Sequence, residues 1–220
     1  MSERHEVVRL DDLDRIEVGD RGLEWRPVRR RLGIRAFGIN AYTSARPGGE
    51  VVEEHTEEQL GHEEDYIVVR GHATFELDGE SVDAPAGTLV YLRDPEVRRS
   101  ATAVAADTLV LAVGGKPGEP FVPSAWESYF SAAPLAREGR LDEAIGLMLR
   151  DAEARPDHPA LLYNLACYEA LGGRDDDALA HLARAIELSP RYRDFAEQDE
   201  DFTRLREDPR FTEALGLPSA

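Results

Sequence analysis

Two different hydrophobic periods divide this chain of 220 residues. Up to about residue 114 the apolar positions fall in short runs or alternate with polar ones. Ala73-Thr74-Phe75-Glu76-Leu77 alternates strictly, as a strand with one buried face does. Arg35 to Tyr42 and Asp65 to Arg70 are apolar-rich runs of strand length. Turn residues punctuate them at Pro47-Gly48-Gly49, Arg70-Gly71, Pro85-Ala86-Gly87 and Arg93-Asp94-Pro95. Asp78-Gly79, between Leu77 and Ser81-Val82, predicts a tight hairpin, because that loop needs positive φ. Many short strands at this spacing predict an antiparallel sandwich or barrel.

Gly114-Gly115-Lys116-Pro117-Gly118-Glu119-Pro120 ends this pattern. Its glycines and prolines predict a linker or an extended strap. Beyond Ser124 the period becomes helical. Gly139, Ala144 and Pro156 recur as Gly173, Ala178 and Pro190, each 34 positions later. Such a period resembles tetratricopeptide helical hairpins. Small alanines let two helices approach, glycine serves the turn between them, and proline stops the second helix. The expected architecture is therefore α+β and multidomain. A β-barrel occupies 1–117 and an all-α hairpin domain 124–220. The repeats span about 125–158 and 159–192, and a capping tail spans 193–220. In that tail Phe195, Phe202, Leu205, Phe211 and Leu215 have the spacing of short closing helices.

Composition changes this picture only modestly. Hydrophobic residues are 42% and charged residues 32%, which suits a folded domain with a core. No run of about 18 uncharged apolar residues exists, so no membrane span is expected. The charged start, Met1 to Glu6, is not read as a secretory signal. Cys167 is the single cysteine, so an internal disulfide and a cysteine-rich zinc site are excluded. Together these predict a cytoplasmic protein. The net charge of −18 argues against nucleic acid as a partner. It is shared: residues 1–120 hold 15 basic and 24 acidic side chains, residues 121–220 hold 11 and 20.

The β half resembles the cupin superfamily over roughly residues 35–113. The family's first motif, G-x5-H-x-H-x3–4-E-x6-G, aligns with Gly49, His55, Glu57, Glu64 and Gly71, with an acid in place of the second histidine and a longer gap of six residues before Glu64. The second, G-x5-P-x-G-x2-H-x3-N, keeps Gly87, while Arg93, Pro95, Arg98 and Thr102 stand at the positions of its proline, second glycine, histidine and asparagine. The resemblance implies a double-stranded β-helix. In metal-bearing members three histidines and the glutamate hold one divalent metal. Position by position this chain offers His55, Glu57, Glu64 and Arg98, and arginine cannot ligate a metal. His62 lies two residues before Glu64, so on a strand both side chains would share one face. His55, His62 and Glu64 are therefore the expected set if a divalent transition metal such as iron or manganese is held. Otherwise the barrel has no cofactor, and Arg98 turns inward to bond Glu64.

Other features have plainer readings. Glu53 to Asp65 holds seven acids in thirteen residues and reads as a solvated loop beside the barrel mouth. Arg26, Arg29, Arg30, Arg31 and Arg35 form a basic patch. Alternation on a strand would split it between two faces, each meeting the protein's own acids. Trp25, Tyr66, Val68 and Phe75 read as core, or as the lining of a small pocket. Trp126, Tyr129, Tyr163 and Cys167 fall where tetratricopeptide stacks face their inner groove, and the first three are candidates for touching a partner. Cys167 reads as a small buried hydrophobe. No nucleophile triad, phosphate loop or nucleotide fingerprint is present.

The expected function is a non-catalytic binding or adaptor protein. Its barrel would take a small ligand, and its hairpins would take a protein, a peptide or a second copy of the chain. The alternative is a metal-dependent enzyme of dioxygenase or isomerase type, using His55, His62 and Glu64. A third reading makes the hairpins mere cover for the barrel.

Overall fold

The computed structural model describes residues 6–216, so residues 1–5 of the charged start and the last four of the tail lie outside it. The chain divides into two units, Met1–Pro123 and Ser124–Ala220.

Among the described residues the first unit contains a 3-10 turn (Leu10–Asp12), ten strands and one short α-helix. The strands and helix are β1 (Ile16–Val18), β2 (Leu23–Arg26), α1 (Val28–Leu32), β3 (Gly38–Ser44), β4 (Glu50–His55), β5 (Glu63–Arg70), β6 (His72–Leu77), β7 (Glu80–Pro85), β8 (Leu89–Leu92), β9 (Arg99–Ala103) and β10 (Thr108–Gly115). All pairings are antiparallel. One sheet has the order β1-β2-β3-β10-β5-β8, the other β4-β9-β6-β7. Successive strands from β3 onward mostly cross between sheets, and β10 returns between β3 and β5. That order defines a cupin-like double-stranded β-helix. The hairpin at Asp78-Gly79 forms as expected, with φ of 51° and 86°. Leu77 pairs with Glu80 across it.

Inward positions alternate along the strands and build one apolar core from Val51, Val52, Val68, Phe75, Val90, Leu92 and Val110, with Ala73, Ala84, Ala101 and Ala103 between them. Tyr66 and Phe75 belong to this core, their rings 5.7 Å apart. Burying a side chain of this size is worth about 1.5–3 kcal/mol. The basic patch differs from expectation. Arg29, Arg30 and Arg31 lie on the helix α1, not on a strand. Gly33, at φ 62°, ends that helix. Arg26 is fully buried at the end of β2 and donates to the carbonyl of Leu10 at 2.6 Å.

The second unit contains α2 (Ala125–Arg137), α3 (Leu141–Ala154), α4 (Pro159–Leu171), α5 (Asp175–Leu188), α6 (Arg191–Gln198), a 3-10 turn (Glu200–Leu205) and α7 (Pro209–Ala214). The starts of α2 and α4, and those of α3 and α5, are each 34 positions apart, and so are their ends. The connecting loops each contain a glycine at positive φ, Gly139 at 76° and Gly173 at 74°, where any other residue would be strained. Ala144 and Ala178, the repeated alanines, are fully buried. From the tail, Phe202, Leu205, Phe211 and Leu215 join the same core, whereas Phe195 is exposed. No described helix is long and apolar enough to cross a membrane.

Candidate functional site

One end of the barrel core is polar. Along β5 the inward side chains run Glu64, Tyr66, Val68, and along β9 they run Arg99, Ala101, Ala103. The strands are antiparallel to their neighbours, so the end of β4 joins the starts of β5 and β9 at this one place. His55 pairs directly with Arg99 across β4 and β9. Opposite Glu64, on β10, stands Gly114. A Cβ there would come within 2.9 Å of Glu64 Cγ, so the glycine makes the room in which that side chain sits.

The side chains form a tight cluster. His55 Nε2 lies 3.7 Å from Glu57 Oε1 and 3.8 Å from Glu64 Oε2. Tyr66 donates its hydroxyl to Glu64 Oε2 at 2.5 Å, and that oxygen is 3.9 Å from Arg99 Nε. Nδ1 of His55 lies 2.7 Å from the Glu53 carbonyl, which orients the ring with Nε2 toward the carboxylates. Arg99 is fully buried. Its Nη1 donates to the Pro95 carbonyl at 3.4 Å, while Nε and Nη2 have no hydrogen-bond acceptor among the described residues.

These neighbours set the protonation states. Burial pulls the His55 imidazolium down, but the Glu64 hydrogen bond and the Glu53 carbonyl more than offset it, so its pKa is raised. Burial pushes Glu57 up to about 7, and the Glu64 charge adds to that. Glu64 is desolvated too, yet hydrogen bonds from His55 and Tyr66 and the charge of Arg99 hold it below the usual carboxylate range. The Arg99 charge acts on His55, Glu57, Glu64 and Tyr66 alike. The site therefore separates a carboxylate that stays ionised from one that is half-protonated near neutral pH.

Three sequence expectations change here. Arg98 does not enter the barrel. It lies just before β9, with its side chain on the surface, donating to Glu54 at 2.9 Å. Arg99, one residue on, has the inward parity and stands where Arg98 was expected. His62 does not join His55 and Glu64. At this end of the barrel the groups whose ligand atoms converge within 4.8 Å are His55, Glu57 and Glu64. Behind them, His62 sits with Nδ1 3.1 Å from Glu57 Oε2 and its ring 5.7 Å from that of Phe121. Finally, the acidic segment is not wholly a solvated loop. Glu54 and Glu58 are exposed, while the side chains of Glu57 and Glu64 are only 13% and 14% exposed.

A divalent metal at His55, Glu57 and Glu64, whose ligand atoms converge within 4.8 Å, would have two carboxylates as ligands and Arg99 as a fixed cationic neighbour. An ion ligated by Glu64 Oε2 at about 2 Å would lie within about 6 Å of Arg99 Nε. At an effective dielectric near 20, that repulsion is at least about 5 kcal/mol. The guanidinium cannot shed its proton to relieve it.

In the second unit the candidate groove residues diverge. Trp126 and Tyr129 are partly exposed; Tyr129 stacks on Tyr168 at 5.6 Å. Tyr163 is buried by the chain's own tail. Its ring stacks on Tyr192 at 4.8 Å, and its hydroxyl donates to Asp199 at 2.6 Å. A partner cannot reach it while the tail is in place. Cys167 is buried beside the same aspartate, and burial raises its thiol pKa well above the ordinary range.

No protein-family model and no curated protein matches the sequence. Solved structures similar to the first unit include KdgF from Halomonas sp., at 15% identity and TM-score 0.42 over 56% of this chain and 98% of that one. A cupin-superfamily sugar phosphate isomerase from Silicibacter pomeroyi has 17% identity and TM-score 0.43 over 50% and 76%. A predicted oxalate decarboxylase from Thermotoga maritima has 22% identity and TM-score 0.42 over 50% and 99%. The strand order of the two sheets, not these scores, defines the barrel as cupin-like.

Proposed function

We propose that this is a non-catalytic binding protein, with a barrel that receives a small molecule without a metal and a helical unit that engages a protein or peptide. The observation that carries the first part is Arg99, a buried permanent cation paired across the strands with His55. The second part is supported by the 34-residue recurrence of helix limits and by the partly exposed aromatics Trp126 and Tyr129. We assign these hairpins to the tetratricopeptide type on the same recurrence.

The competing reading is a metal-dependent enzyme. It would use His55, Glu57 and Glu64, the converging set, in place of the set containing His62. Elemental analysis of the full-length protein, purified from metal-supplemented medium without chelator, separates the two. The binding-protein reading expects well under one equivalent of iron, manganese, nickel or zinc. One equivalent, lost in His55→Ala, would overturn the metal-free reading and favour the enzyme.

A further inference from the structure

We propose that the strap 116–123 is a latch on the barrel site: its Phe121 ring, docked on His62, keeps that histidine over Glu57, and release of the ring uncovers the acid. This rests on reading His55, Glu57 and Glu64 as the binding site, and it names how access to that site is governed.

The ring has a seat made for it. A Cβ at Gly38 on β3 would come within 2.7 Å of Phe121 Cε2, and one at Gly115 on β10 within 3.7 Å of Cδ2. Both glycines thus leave room that the ring fills. Its centroid also lies 5.7 Å from the Arg29 guanidinium and 5.7 Å from the His62 ring. His62 in turn faces the site. Its Nδ1 is 3.1 Å from Glu57 Oε2, an atom that is buried yet has no hydrogen bond among the described residues. The histidine covers that oxygen without bonding it. An acceptor buried in this way is costly to keep, and water satisfies it once the cover lifts. Lys116 fixes the other end of the strap. Its Cδ lies 3.6 Å from where a Gly61 Cβ would be, and the Gly61 N–H donates to the Glu57 carbonyl at 2.7 Å. Both ends of the strap therefore touch the turn that carries Glu57 and His62.

Little else holds the strap down. Pro117, Pro120 and Pro123 have no N–H to give. Among the described residues, the backbone hydrogen bond made by residues 117–122 runs from Glu119 to the Lys116 carbonyl, within the strap itself. The side chains of the same two residues pair at 2.7 Å. No backbone bond joins 117–122 to a strand of the barrel among the described residues. A segment tied down by one ring, and not by a ladder of bonds, sits at the low end of local stability, so it undocks without unfolding the barrel. Only Val122 and Pro123 separate the ring from Ser124, where the second unit begins. The latch thus lies at the junction of the two units along the chain.

The experiment uses the full-length protein after its metal content has been measured. Carboxylates are labelled with a carbodiimide and glycine ethyl ester, histidines with diethyl pyrocarbonate, and the rate at each residue is read by mass spectrometry. Phe121→Ala removes the ring, and Gly38→Ala fills its seat. Both should label Glu57 and His62 at least about tenfold faster than wild type. Glu54 and His72, already exposed in their pairs with Arg98 and Asp83, should keep their wild-type rates. Val122→Ala, at an exposed neighbour of the ring, should behave as wild type. An unchanged Glu57 rate in Phe121→Ala overturns the latch, and so does acceleration of His62 alone. A bound metal would overturn the metal-free reading instead; it would slow Glu57 in every variant and leave the ratios between variants to judge the latch. Should both variants label Glu54 and His72 faster as well, as an unfolded chain would, wild-type NOEs between the Phe121 and His62 rings decide, and their absence overturns the docked state.

Discussion

Glu64 is held ionised inside a barrel by three neighbours of different kinds: a phenol, an imidazole and a guanidinium. The phenol is the most directly bound, at 2.5 Å. Tyr66→Phe should therefore cost about 2 kcal/mol in chemical denaturation at pH 7, as expected when a hydrogen bond to a buried charge is lost. The loss should shrink as pH falls and Glu64 becomes protonated in the variant. Arg98→Ala should change stability by less than about 0.5 kcal/mol, since its pair with Glu54 is well exposed on both sides. Equal costs for the two substitutions would contradict this geometry. At this scale the sequence was readable in part. His55, Glu57 and Glu64 were placed by the family resemblance, although the metal set expected from it held His62 in place of Glu57. The arginine could not be placed, because counting from Gly87 by the family motif ends one residue short of Arg99, the inward position at the start of β9. On a strand, one residue is the difference between the core and the surface.

Hairpin elements are held by contacts that cross them. His181 on α5 bonds Glu169 on α4, with Nδ1 2.7 Å from a carboxylate that is almost fully buried. That bond, and the carboxylate's charge, raise the His181 pKa against the opposing pull of burial. A histidine raised on folding binds its proton more tightly in the native state. Its stabilisation is complete below the unfolded value, near 6.5, and is lost as pH rises through the folded value. The melting temperature of the helical transition should accordingly fall as pH rises above 6.5, and His181→Gln should flatten that dependence. A wild-type profile identical to that of the variant would show that this pair does not contribute. Element order was legible because its signals are local: alternation in β6, Asp78-Gly79 at the hairpin, and the 34-residue spacing of glycines. The place of Arg29 to Arg31 was not. A basic triplet has no period of its own, and the short helix beneath it is fixed by Val28 packing on the barrel.

Across the whole molecule each unit owns a core, one around Val51, Val68 and Phe75, the other around Ile145, Leu161 and Leu182. Expressed separately, 1–123 and 124–220 should each be soluble and unfold cooperatively, with β-type and helical circular dichroism respectively. Aggregation of 1–123 alone would instead support the view that the helices serve as cover. Nothing in the periodicity foretold that the tail would reach back over Tyr163, because that contact depends on Asp199 and Tyr192, which carry no pattern. It leaves the thiol of Cys167 enclosed and poorly ionised. Reagents that react with thiolates should therefore pass the native chain by. A cysteine introduced at exposed Glu54 and another at exposed Asp157 would thus accept spin labels against a silent background, which makes the protein a ready substrate for measuring distances between its two units in solution.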